Sequence, residues 1–303
     1  MHTLTIALAT TAIIATAGAA LAHPPDLTRL PLGDNLLVDA PEAGHLVACF
    51  VNPNAGGAFR DGEWIDTADG TWNYLEKVVV EGAVAQSGYA FEYGIEDGKR
   101  MFATADIPET PTGVFPIAAD DPAYQYDRNP NTIATQNFAF ALPADPVLAG
   151  TPGCAPGTVG ILLSGIALFN AVDARGLDAP AHETLDDCQG HPQQSGVYHH
   201  HWASTCVVEA FDNGEGHSAL IGYILDGFGL YGWRGEDGVE LSSDDLDECH
   251  GHTHTIAWDG GPAEMYHYHA TQDFPYTVGC IRGTYNNSDV SSILGGGGQA
   301  QRQ

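Results

Sequence analysis

Twice in this chain Cys-x-Gly-His is followed, a short loop later, by Tyr-His-x-His. The first copy runs from Cys188-Gln189-Gly190-His191 to Tyr198-His199-His200-His201, and the second from Cys249-His250-Gly251-His252 to Tyr266-His267-Tyr268-His269. A further cysteine, Cys206 or Cys280, closes each copy, which defines units 187–206 and 248–280. Imidazole both ligates borderline metals and exchanges protons near neutral pH, so chemistry is expected where it clusters. On a strand, alternate side chains share a face. His199 and His201 then point one way and Tyr198, His200 and Trp202 the other; His267 and His269 are set against Tyr266 and Tyr268 in the same manner. Two imidazoles at i and i+2 can share one metal, and an aromatic backing would hold their rotamers. If the copies pack together, four imidazoles converge, with His191, His252 and His254 available from the preceding loops. Nitrogen donors of this kind favour copper or zinc, then iron or nickel, over magnesium or calcium. Structural, hydrogen-bonded histidines are the alternative reading.

Carboxylates near the units are candidate acid-base partners. An apolar run ends at Asp226-Gly227, so Asp226 is delivered at a strand end, as a metal ligand, a support for an imidazole, a general base or simply a turn residue. Glu183, with Asp186 and Asp187, precedes the first unit and poses the same question. Arg128, in the polar turn 126–131, stands out in a chain with only ten Lys and Arg; it pairs with buried carboxylates or holds an anionic ligand. Serine chemistry is disfavoured, because no Gly-x-Ser-x-Gly is present.

The elements that must position these residues read as an all-β, β-sandwich-like, loop-rich fold with little helix. Strand-like runs cover 46–51, 75–84, 89–95, 137–142, 159–169, 219–225 and 279–281. They are separated by turn pairs such as Asp97-Gly98, Asp226-Gly227 and Asp259-Gly260. Residues 1–22 read as an export signal ending in Ala20-Leu21-Ala22, 23–290 as one domain, and the Gly-rich segment 291–303 as a disordered tail. Cleavage there would leave His23 first, and an N-terminal histidine can chelate copper; Pro24-Pro25 does not match that pattern, and an accident of the cleavage site is the plainer account.

An oxidising compartment, periplasmic or extracellular, turns six cysteines into disulfide staples and removes them from the ligand list. Fifteen pairings are open in principle. The repeat favours Cys188 with Cys206 and Cys249 with Cys280, each closing one histidine unit, which leaves Cys49 with Cys154. A loop of that size is worth about 3 kcal/mol in the chain-entropy picture. The net charge of −29 makes nucleic acid and anionic membrane surfaces poor partners, and no membrane association beyond the signal is expected. It also leaves room for divalent cations.

Several long motifs resemble the YHYH-domain family of exported bacterial proteins. They are 222–232 (GYILDGFGLYG), 246–254 (LDECHGHTH), Tyr266-His267-Tyr268-His269 and 274–280 (FPYTVGC), with weaker likeness at 112–116, 126–131 and 168–171. The likeness spans roughly residues 70–285. It implies export but no particular reaction. The first copy departs from the family name, with His200 where the second has Tyr268. Three functions are weighed: an exported protein that binds, stores or delivers a transition metal; a metalloenzyme, hydrolase or copper or iron oxidoreductase, with an open metal position and a small-molecule substrate; and a calcium-dependent surface or adhesion module with structural histidines.

Overall fold

The structure, a computed structural model, describes residues 24–296. The segment expected to be an export signal, His23 and residues 297–303 lie outside the described residues. The chain is mostly β, and all six cysteines are paired as expected: Cys49–Cys154, Cys188–Cys206 and Cys249–Cys280.

Short strands β1 (Leu30–Pro31), β2 (Ile65–Asp66) and β3 (Thr71–Trp72) form a small sheet near the N-terminus. A second sheet holds β4 (Phe91–Glu96), β5 (Lys99–Thr104) and β6 (Phe138–Pro143) in antiparallel order. Asp97 (φ 49°) and Gly98 (φ 73°) turn β4 into β5, two left-handed residues whose twist suits a two-residue hairpin. Strand β7 (Leu148–Gly153) pairs with a late strand described below.

The largest sheet has eight strands. They are β8 (Thr158–Leu162), β9 (Ala167–Phe169), β10 (Gly190–Pro192), β11 (Tyr198–His200), β12 (Leu220–Ile224), β13 (Gly229–Tyr231), β14 (Gly251–Trp258) and β15 (Gly261–His269). Their spatial order is β10-β11-β9-β8-β12-β13-β15-β14. Outward from the middle, each half contains a hairpin and then a second hairpin whose later strand lies parallel to the first: β11 on β9, β15 on β13. The halves meet where β8 pairs antiparallel with β12, Gly160 opposite Ile224, Ile161 opposite Tyr223 and Leu162 opposite Gly222. Residues 62 apart thus exchange places about the Ile161–Tyr223 pair, which marks a pseudo-two-fold axis. Its reach extends to the loops, where the bridges Val172–Asp178 and Arg234–Glu240 are also 62 apart. A Cβ on Gly160 would lie 2.3 Å from the Tyr223 carbonyl oxygen, and one on Gly222 would lie 2.6 Å from that of Ile161. Glycine is therefore required on both sides of the seam.

Apolar residues line both faces of this sheet, in step with its period of two. Leu162, Leu168, Ile224 and Leu230 face one core with Leu30, Trp72, Trp202 and Tyr276. Ile161, Ala167, Phe169 and Tyr223 face the other, where the β4–β6 sheet contributes Phe102, Phe138 and Phe140. Two stacked sheets thus form the layered core that the turn-rich sequence implied. Two short helices, α1 (Ala179–His182) and α2 (Thr205–Val208), precede β12; strand β16 (Ile281–Gly283) pairs with β7, and helix α3 (Asn287–Gly296) follows. The segment from Ser291, expected to be a disordered tail, is helical as far as Gly296; buried Val290 and Ile293 dock it on the second core. The runs at 46–51 and 75–84 form only isolated bridges, at Leu46, Ala48 and Val84.

Buried Tyr–Asp pairs fix the strands from behind. The Tyr268 hydroxyl donates to Asp226 (2.7 Å) and accepts from the Arg282 N–H (2.7 Å). The Asp226 carboxylate also receives the N–H groups of Gly283 and Phe228. Tyr268→Phe should destabilise the metal-free protein by about 1–3 kcal/mol, because a buried carboxylate loses its hydroxyl donor. Tyr93→Phe, at an exposed hydroxyl, should stay within about 0.5 kcal/mol. Urea unfolding measures both.

Candidate metal centres

The histidines converge because of strand register. His191 on β10 stands directly opposite His199 on β11, and His252 on β14 directly opposite His267 on β15. Residues paired in this way share one face with their Cβ atoms about 5 Å apart. The i+2 neighbours His201, His269 and His254 join from the same face. Asp259 (φ 44°) and Gly260 (φ 88°) set the β14–β15 hairpin and hence this register. His191, His252 and His254, expected from loops, therefore lie on strands; β10 is too short, and the histidine-bearing part of β14 too polar, to show as strands from composition.

Two separate groups result: His191, His199 and His201, and His217, His252, His254, His267 and His269. Strands β11 and β15 are five strand spacings apart in the sheet, roughly 24 Å. The four imidazoles of His199, His201, His267 and His269 do not meet. Each unit builds its own centre.

In the first centre the Nε2 atom of His199 lies 3.1 Å from those of His191 and His201. Carbonyl oxygens of Val197 and Asn170 accept from the Nδ1 atoms of His199 and His201. A carbonyl can only accept, so the proton of each neutral ring sits on Nδ1 and the Nε2 lone pair faces the cluster. Phe169 stacks on His199 with ring centroids 3.9 Å apart. The Glu183 carboxylate stands 3.5 Å from His191 Nε2 and 3.6 Å from His201 Nε2, too far for hydrogen bonds and suited to sharing an ion. Glu183 caps the C-terminal end of α1 (Ala179–His182), a turn anchored by Asp178, which accepts from Ala181, Gly33 and Tyr276. Burial, then Asp173 and Asp127, pushes the Glu183 carboxyl well above the usual range, with Lys77 and Arg175 opposing.

The second centre repeats the plan. The Nδ1–H groups of His267 and His269 donate to the carbonyls of Met265 (3.2 Å) and Gly232 (2.6 Å), the latter 62 residues beyond Asn170. His217 and His254 donate through Nδ1 to Ser218 and Thr255. All five Nε2 atoms are buried without a hydrogen-bond partner. Burial first and neighbouring rings second hold His191, His199, His267 and His269 well below the ordinary imidazole range. Burial brings His201 and His252 to about 4. These rings are neutral at pH 7, the form that binds metal.

Nitrogens that share an ion at about 2.0–2.1 Å stand about 2.9–3.4 Å apart for ordinary angles, so the 3.1 Å spacings fit one transition ion. An unpartnered buried acceptor costs about 1–3 kcal/mol; an ion among these lone pairs would remove that cost. The donor set is imidazole throughout, with one carboxylate beside the first centre, which suits transition ions better than calcium.

Other expected residues lie elsewhere. Asp226 is on the opposite face, bound to Tyr268 behind the imidazoles. Asp186 plays that role in the first half: it accepts from the Tyr198 hydroxyl and from the N–H groups of Cys188 and Gly190, as Asp247 does from Tyr266, Cys249 and Gly251. Asp187 is exposed. His200 points away and donates to the Gln189 carbonyl (3.1 Å). His217 was not singled out from sequence: it stands alone just before β12, with no local spacing to mark it. The 62-residue repeat of Gly-x-x-Leu-x-Gly-x-x-Leu at 160–168 and 222–230 was the available sign of the duplication.

No curated protein and no solved structure matches this chain. The profile of the family described as YHYH protein matches residues 139–240, a stretch that holds the whole first centre and ends before β14. Residues 139–240 are thus similar to the YHYH family, the family that the motif at 222–232 resembles.

Proposed function

We propose that this is an exported protein that binds transition metal at two independent histidine centres. His191, His199 and His201 hold one ion, with Glu183 beside it, and His217, His252, His254, His267 and His269 hold another. The observation that carries this reading is the convergence of buried Nε2 atoms: in the second centre all five lack a hydrogen-bond partner, and in the first His199 Nε2 lies 3.1 Å from those of His191 and His201. The Nδ1 atoms of His199, His201, His267 and His269 are committed to backbone carbonyls. Structural histidines would direct those lone pairs at donors. Three disulfides support the periplasmic or extracellular assignment, since such bonds persist in oxidising compartments. Among the described residues no helix is long and apolar enough to cross a membrane. Copper or zinc suits a nitrogen-rich set, with iron more plausible beside Glu183.

The second centre, with five imidazoles, is the storage or delivery type. The first, with three imidazole ligands and Glu183 beside them, leaves a fourth position open and favours the metalloenzyme reading for that half, with Glu183 as acid-base partner. Asp226 takes no part in either, being held in the Tyr268 network.

Mature protein prepared without a His tag, stripped and titrated with zinc or copper, should bind two equivalents by elemental analysis. His199→Ala/His201→Ala should lose one and His267→Ala/His269→Ala the other. Binding below one equivalent, or content unchanged in the combined variant, sinks the proposal. Metal should also raise the melting temperature of the native protein, by the equivalent of about 2.7 kcal/mol per site at a hundredfold excess over Kd. Chelator should reverse the rise, and the combined variant should show none.

A further inference from the structure

The two centres share a plan but not their surroundings. Where the second has His217, the first has Ala155, 62 residues earlier; where the second has His254, the first has Gln193, 61 earlier. With two fewer imidazoles, the first centre opens on a cleft of about 770 Å³ lined by His191, His199, His201 and Glu183. That volume falls in the range of small-molecule sites.

The turn that carries Arg128 also lines the cleft. Asn129 and Asn131 bind the Pro192 carbonyl through their side-chain amides (2.9 and 3.3 Å), so the turn is tied to the strand that bears His191. Arg128 is exposed and lies flat on Phe59, its guanidinium carbon 4.0 Å from the ring centroid. Among the described residues no carboxylate pairs with it. The acids around it have other partners: Asp173 pairs with Arg175 at 2.8 Å, Asp127 accepts from the Thr184 N–H beside Lys77, and Glu183 faces the imidazoles. Phe50 and Phe59, 56% and 60% exposed, add apolar walls. A net charge of −29 repels anions in general, so an unpaired guanidinium held inside a cleft is a specific recognition group.

We propose that the first centre is a ligand-binding centre for small organic anions with an aromatic or apolar body. The acid group bridges the open metal position and the Arg128 fork, and the body lies against Phe50 and Phe59. This rests on the metal reading above, and it assigns small-molecule recognition to the first centre alone.

The test uses native protein loaded with cobalt(II), whose visible absorption reports a change in ligation, with benzoate as probe and benzamide as its neutral counterpart. Metal content is measured first, so a failure of the metal reading is recognised before any probe is added. Benzoate should change the spectrum saturably and benzamide should not. Arg128→Gln should weaken benzoate binding at least tenfold with cobalt content and the probe-free spectrum unchanged. His199→Ala/His201→Ala should abolish the response. Two bound equivalents with no response to benzoate would overturn the proposal, as would equal affinity in Arg128→Gln, or a response that survives in His199→Ala/His201→Ala.

Discussion

Everything at the two centres depends on the close backbone contact between β8 and β12. Gly160 and Gly222 let the two central strands approach where any side chain would collide with the opposite carbonyl. A one-residue slip there would turn each strand's side chains to the other face. The seam therefore decides that Phe169 and Tyr231 lie on the face of the second core while Leu168 and Leu230 lie on the first. The parallel strands laid on β9 and β13 inherit that choice, and with it the direction in which His199, His201, His267 and His269 point.

Register brings the imidazoles together, and a second layer of bonds fixes what they present. Backbone carbonyls of Val197, Asn170, Met265 and Gly232 take the Nδ1 protons, so the remaining lone pairs face one another in a buried space. Such an arrangement is electrostatically unfavourable by itself and becomes favourable around a cation. Behind it, Tyr198 and Tyr268 spend their hydroxyls on buried aspartates and Tyr266 on half-buried Asp247, and disulfides close the loop of each unit. The tyrosine hydroxyls on the back of each strand pair are satisfied, while the Nε2 atoms on the front face one another.

Much of this was legible in the sequence because it rests on short-range rules. Alternation separated His199 and His201 from His200, Asp97-Gly98 and Asp259-Gly260 marked their hairpins, and the repeat paired the cysteines. What stayed hidden depends on contacts distant in the chain. Asp226 looked like a site residue from its place at a strand end, but Tyr268, 42 residues on, draws it to the opposite face. His217 reaches its centre only through the pairing of β12 in the larger sheet. Helix α3 was unreadable because its apolar residues are few and find their core only after β6 is in place. Whether the units form one site or two is a matter of strand order, which no local pattern encodes.

The seam has the form of an isologous interface: residue i meets j, and the counterpart of i meets the counterpart of j. Two copies of a half-length chain joined in this way would carry two identical centres, and any substitution would alter both at once. Joining the halves in one chain removes that constraint. Ser164 can stand where the other half has Asp226, Ala155 where it has His217, and Gln193 where it has His254, without disturbing the contact that holds the halves together. Symmetry survives in the backbone, and the side chains are free to specialise.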